Sequence, residues 1–197
     1  MKLVCQGDSI TYGYEVRRSA VWTRLFQNQT GIETLNRGEN GITTVGMMHR
    51  FSFDVLAENP DAVLIMGGGN DILSNLGTEE PEKNITEMIR RANTAGIRVL
   101  LGIPSPFCPP IREDWAAMAD FPAMIPVYDA FAERLKLLAK SLKADTVDFR
   151  SGVARHIAQT GLPQRELYLD GIHLNEKGHG VFASILAERF AELGLLP

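Results

Sequence analysis

Apolar positions along the chain fall into two alternating patterns. Short apolar runs at residues 3–5 and 63–66, and the mostly apolar 97–103, lie close to Gly or Pro, which is the signal of a β-strand. Residues 33–36 and 146–149 complete a set of five. Between these runs the spacing changes to that of a helix. Ile85, Met88, Ile89 and Ala92 recur at i, i+3, i+4 and i+7, and Pro81 suits a helix start. Val127, Phe131, Leu135, Leu138 and Leu142 form a second stripe, and Phe182, Ile185, Leu186 and Phe190 a third. Residues 43–56 read as a further helix that ends before Pro60. The stripes are core positions.

Strands alternating with helices predict an α/β fold, with a parallel sheet covered by helices on both faces. Ligands of such sheets bind beyond the carboxyl ends of the strands. The turns after strands one, two and three therefore belong to the active edge. They contain GDSIT, NRGENGITT and GGGNDIL. Residues 104–126 carry prolines at 104, 106, 109, 110, 122 and 126. They read as one long loop, a lid or a pocket wall.

Composition narrows the function classes. A length of 197 residues fits one domain, residues 1–197, with a sizeable core. The net charge of −4, with no block of like charge, gives no footprint for nucleic acid. No apolar run approaches the ~20 residues of a membrane span, and MKLVCQGDS is too short in apolar residues for a signal peptide. Cys5 and Cys108 lie far apart, without metal-ligand spacing, and fit a reducing compartment. The expectation is a cytoplasmic protein without a metal, a cofactor or a membrane partner.

Ser9 stands beside Asp8 at the end of the first strand. It reads either as a turn or helix-capping serine or as a nucleophile, which would need a base, an orienting acid and oxyanion donors. Asp170 and His173, in YLDGIHLNEKGHG, are three residues apart. That spacing puts them on one side of the backbone, so the carboxylate can hold one ring nitrogen and leave the other for a serine proton. The alternative is a turn-capping Asp and a surface His. His49 and His156 have no acid at a short spacing, and His179 lies between glycines in the last helix, which favours His173 as base. Asn70 can offer a side-chain N–H and Gly41 a backbone N–H at the same edge, although Asn-Gly and Asn-Asp are also ordinary turn formers. Asp8 reads as structural, accepting backbone N–H bonds. There is no phosphate loop, no dinucleotide fingerprint and no G-x-S-x-G elbow.

Four blocks in this order resemble the SGNH hydrolases, the GDSL-type esterases and lipases. They are GDSI at 7–10, with Ile10 where Leu is usual, NRGENG at 36–41, GGND at 68–71 and DGIH at 170–173. The resemblance implies a flavodoxin-like three-layer α/β/α sandwich with five parallel strands. It implies hydrolysis of carboxylic esters or thioesters through an acyl-serine, without a metal or other cofactor. On this footing Ser9 is the nucleophile, His173 the base and then acid, and Asp170 its orienter. The Ser9 and Gly41 backbone N–H groups and the Asn70 side chain are the oxyanion donors. Activity should then fall as pH drops through about 6.5, the ordinary imidazole value. The substrate is a small ester, an acyl or aryl ester if Phe107, Ile111, Trp115, Met118, Phe121 and Met124 line a pocket, and equally a sugar O-acetyl ester. Those side chains could instead pin their loop to the core. A flavin- or phosphate-binding module without catalysis, with the SITYG turn cradling the anion, is the rival reading. A degenerate esterase fold used for protein interaction is a third.

Overall fold

A computed structural model describes residues 1–75 and 77–196. Five strands form one parallel sheet: β1 (Lys2–Gly7), β2 (Glu33–Gly38), β3 (Ala62–Met66), β4 (Arg98–Ile103) and β5 (Asp145–Asp148). Their order is β2-β1-β3-β4-β5, the flavodoxin-like winding. The chain runs from β1 outward to β2, then returns to β3 on the other side of β1. This reversal opens a crevice at the carboxyl ends of β1 and β3, where Gly7 pairs with Met66.

The sheet separates two cores, and the period-2 alternation of each strand assigns residues to them. Leu3, Cys5, Leu64 and Leu100 face the first, under α2 (Trp22–Thr30), α8 (Phe149–Thr160) and α9 (Glu176–Glu192). There Phe149 stacks on Phe182 with centroids 4.2 Å apart. Val4, Val63, Ile65, Val99 and Leu101 face the second, under α3 (Thr44–Asp54), α5 (Glu79–Thr94) and α7 (Phe121–Ser141). Fully burying each such side chain is worth about 1.5–3 kcal/mol. The central strands must be apolar throughout because both their faces are covered. The remaining helices are short and lie at the active edge: α1 (Ser9–Tyr12), α4 (Gly69–Leu73) and α6 (Glu113–Ala116).

Several segments differ from what the sequence predicts. Residues 104–126 are not one loop, because α6 interrupts them and α7 opens at Phe121, so that Pro126 lies inside a helix. Asp120 caps that helix by accepting the Ala123 N–H, and Pro122 fits its first turn. Pro126 leaves only the Pro122 carbonyl without its usual donor. Residue 149 belongs to no strand: Asp148 ends β5 and caps α8 by accepting the Ser151 N–H, which turns Phe149 into the first core. The SITYG stretch is helix and cap rather than an open cradle. Its Thr11 is fully buried, so the phosphate-cradling turn of the rival reading is not formed. Among the described residues, no helix is long and apolar enough to cross a membrane.

Candidate active site

Ser9 is the first residue of α1, directly after β1. Asp8 caps this helix, its Oδ1 accepting the Ile10 N–H at 3.0 Å. Gly7 lets the chain pass its neighbour, since a Cβ there would lie 2.5 Å from the Met66 carbonyl oxygen. The Ser9 N–H, at a helix start, has no partner within the helix.

Asp170 and His173 occupy a tight turn just before α9. The Tyr168–Leu174 bridge closes it, the Leu169 N–H donates to the His173 carbonyl at 2.8 Å, and Gly171 takes φ +92°. The turn brings the two side chains together: His173 Nδ1 lies 2.7 Å from Asp170 Oδ2. His173 Nε2 lies 3.0 Å from Ser9 Oγ, across 164 residues of sequence. A carboxylate only accepts, so Nδ1 carries the proton and Nε2 presents its lone pair to the serine hydroxyl. All three residues are buried.

Two acids of this site experience opposite fields. Burial pushes Asp170 up, but hydrogen bonds from the His173 ring and backbone N–H, the His173 charge and the Ile172 N–H outweigh it. They hold the carboxyl well below the usual carboxylate range. Asp8 accepts the Ile10 N–H on its side chain. Burial dominates there and pushes it up to about 6, against that bond and the His173 charge. One chain thus keeps one acid firmly ionised and its neighbour poised to protonate.

Asn70 and Gly41 arrive at the same cleft from the neighbouring strands. Asn70 Nδ2 donates to the Ile42 carbonyl at 2.9 Å; an amide nitrogen carries two hydrogens, so one is left for the cleft. Gly41 has φ +72°, a conformation that favours glycine. Asp71 ties the two loops together beneath the surface. Its carboxylate accepts the Thr44 N–H at 3.0 Å and the Thr44 hydroxyl at 2.6 Å.

The cleft encloses about 690 Å³ of non-protein space, part of it open to solvent. Aromatic side chains that the motif spacing does not identify as site residues form its sides. The Tyr14 ring lies 4.3 Å from that of His173, and the Trp115 ring 5.5 Å from it. Trp115 Nε1 donates to Asp170 Oδ2 at 2.8 Å. Phe107 also lines the cleft, stacked on Tyr128 at 4.5 Å. The other apolar residues of the 104–126 segment divide: Phe121 is buried, Met124 packs on the second core, and Met118 is 74% exposed. Residues 104–112 form a wall rather than a free lid. The Cys108 and Arg112 N–H groups donate to the Gly171 and Asp170 carbonyls, both at 2.8 Å. Tyr168 Oη donates to the Pro106 carbonyl at 2.7 Å, and Arg165 reaches the Cys108 and Pro110 carbonyls.

The other histidines stay outside. His49 is exposed and His156 half-buried in α8. His179 is buried under α2, where its Nδ1 accepts the Trp22 N–H at 3.3 Å. Burial, aided by the His173 charge, pushes its pKa down to about 4. Among the described residues, no three His, Cys, Asp or Glu side chains group as metal ligands would.

Comparison with known proteins places this geometry in context. The model of the GDSL-like Lipase/Acylhydrolase family matches residues 5–181. The chain is 27% identical over 101 residues to "Thioesterase 1/protease 1/lysophospholipase L1" of Escherichia coli (strain K12). That match covers 50% of this chain and 49% of the relative, so the chain spans about half the length of this curated relative. A crystal structure of a member of the lipolytic protein G-D-S-L family from Veillonella parvula DSM 2008 superposes with a TM-score of 0.76 at 25% identity. It covers 97% of this chain and 98% of its own. The lipase/acylhydrolase from Enterococcus faecalis shares the fold with a TM-score of 0.77 at 22% identity, over 100% and 97% of the two chains.

Proposed function

The chain belongs to the GDSL-like lipase/acylhydrolase family, and from that premise we propose that it is a serine-dependent hydrolase of carboxylic esters, working as one domain over residues 1–197. The observation that carries the reading is the unbroken relay from Asp170 through His173 to Ser9, opening on the cleft.

Ser9 Oγ attacks the ester carbonyl while His173 Nε2 takes its proton. The carbonyl oxygen becomes an oxyanion and is met by the Ser9 and Gly41 N–H groups and the free N–H of Asn70. When the tetrahedral species collapses, the alkoxide leaves with the proton from His173, and the acyl group stays on Ser9. Water then repeats the sequence: His173 takes its proton, the oxygen adds to the acyl carbon, and the acid is released as Ser9 regains its proton. Asp170 holds the ring in the required tautomer and faces the imidazolium as it forms.

Phe107, Trp115 and Tyr128 give the cleft aromatic walls that suit an acyl or aryl group. Acetyl, butyryl and octanoyl esters compared side by side test this, and a steep preference for acetyl would overturn it. The free, buried thiols of Cys5 and Cys108 support a cytoplasmic setting.

The deciding experiment is intact mass after fluorophosphonate exposure, for wild type and Ser9→Ala, with p-nitrophenyl acetate turnover alongside. One adduct on wild type, none on the variant and turnover lost with it are expected. A folded wild type that takes no adduct and turns over no ester would overturn the proposal.

A further inference from the structure

We propose that Trp115 is a positioning residue for this reaction, its indole N–H fixing the Asp170 carboxylate that orients His173; the inference rests on the esterase reading above. Asp170 is fully buried and accepts four hydrogen bonds. Oδ1 takes the Ile172 and His173 backbone N–H groups at 2.9 and 2.7 Å. Oδ2 takes the imidazole Nδ1–H at 2.7 Å and the Trp115 indole at 2.8 Å. Three of these donors lie within the 170–173 turn itself. Trp115 is the fourth, and it comes from 55 residues away.

Its origin makes the bond deliberate in structural terms. Trp115 sits on α6, which the wall delivers to the turn through the Arg112 N–H and the Asp170 carbonyl. Asp114 braces this helix, accepting the Trp115 N–H at 2.9 Å and the Arg112 guanidinium at 2.8 Å. The indole ring also meets Tyr14 edge-on at 5.9 Å, while Tyr14 lies against the imidazole. Trp115 therefore constrains both members of the Asp170–His173 pair, one by a hydrogen bond and one by packing.

The chemistry of the shared oxygen follows. A carboxylate oxygen that serves two donors gives less electron density to each. Without the indole, Oδ2 would attract the His173 proton more strongly and favour the imidazolium, so the free base would appear only at higher pH. The carboxylate would also lose one of its two restraints on Oδ2, and the Nδ1 contact would be less well aimed. The loss of aim decides the rate: an imidazole misplaced by up to about 1 Å costs about ten- to hundredfold.

The test compares wild type, Trp115→Phe and Ser9→Ala on p-nitrophenyl acetate from pH 5 to 9, with fluorophosphonate labelling of each. Phe keeps a ring at the position and removes the N–H. The expected result is a kcat lowered about ten- to hundredfold with KM little changed, and an acid limb moved to higher pH. In wild type, the indole N–H resonance of Trp115 should titrate with the same midpoint as that limb. This measurement decides the matter even if Trp115→Phe fails to fold. A wild type that labels at Ser9, with a folded Trp115→Phe equal to it in rate and pH profile, would overturn the role of Trp115 and leave the esterase reading intact. A rate loss with an unmoved acid limb would reduce Trp115 to packing. An indole resonance indifferent to pH would also refute the proposal. A wild type that takes no adduct at Ser9 would remove both readings together.

Discussion

Asp8 offers the sharpest thermodynamic prediction. Its carboxyl is buried next to Ser9, accepts one side-chain-directed N–H and rises from 3.8 to about 6. A shift of about two units corresponds to about 3 kcal/mol between its two protonation states. The sign is set by linkage. Between about pH 4 and pH 6 the unfolded chain has released this proton while the folded chain retains it, so stability falls as pH rises through that window. Below it both states are protonated; above it both are ionised and the penalty is complete. Asp8→Asn keeps an oxygen to cap the Ile10 N–H and removes the titration. Urea unfolding of both proteins, at intervals from pH 3.5 to 8, isolates the difference. The variant should gain on wild type by at most about 3 kcal/mol between pH 4 and pH 6.5, then hold a constant lead. A gap independent of pH, or a wild type that gains on the variant as pH rises, would refute the argument.

Two further outcomes follow from the same geometry. His179 is buried with its pKa pushed down to about 4, so its own contribution, opposite in sign to that of Asp8, should cost wild type about 3 kcal/mol relative to a non-titrating variant as pH falls from about 6.5 to 4. His179→Asn, which keeps an acceptor for the Trp22 N–H, should lack that loss in the same urea series. Asn70→Ala should lower kcat by ~10²–10³, while the freed Ile42 carbonyl costs only about 1 kcal/mol of stability. Turnover and chemical unfolding measured on one preparation separate the two effects.

What was legible in the sequence tracks how each segment is buried. β1, β3 and β4 are covered on both faces and so read as continuous apolar runs. β5 is an edge strand with one fully buried residue, Val147, and its end was placed one residue late. Two helices, α2 and α8, escape the apolar periodicity because each buries few large apolar residues, Trp22 and Phe26 in one and Phe149 and Val153 in the other. The prolines of the 104–126 segment suggested a single loop, yet Pro122 fits the first turn of α7 and Pro126 lies inside that helix.

In the site, Ser9, Gly41, Asn70 and His173 converge on one cleft with Asp170 buried behind His173, because each follows a strand or precedes a helix at the edge the topology selects. Tyr14 and Trp115 were not legible in that way. Their contacts span 159 and 55 residues, and no spacing encodes them. The apolar character of residues 104–126 pointed to Trp115 as a pocket side chain, which it is, but not to its hydrogen bond with Asp170.

The separation of Ser9 from His173 also sets a timetable. Ser9 stands at the end of the first strand, and its imidazole partner is synthesised 164 residues later. At about 5–20 residues per second, the hydroxyl exists for roughly ten to thirty seconds before its base has been made. On the proposed mechanism, the growing polypeptide therefore carries Ser9 without its base until residue 173 has been made and the 170–173 turn has packed against α1.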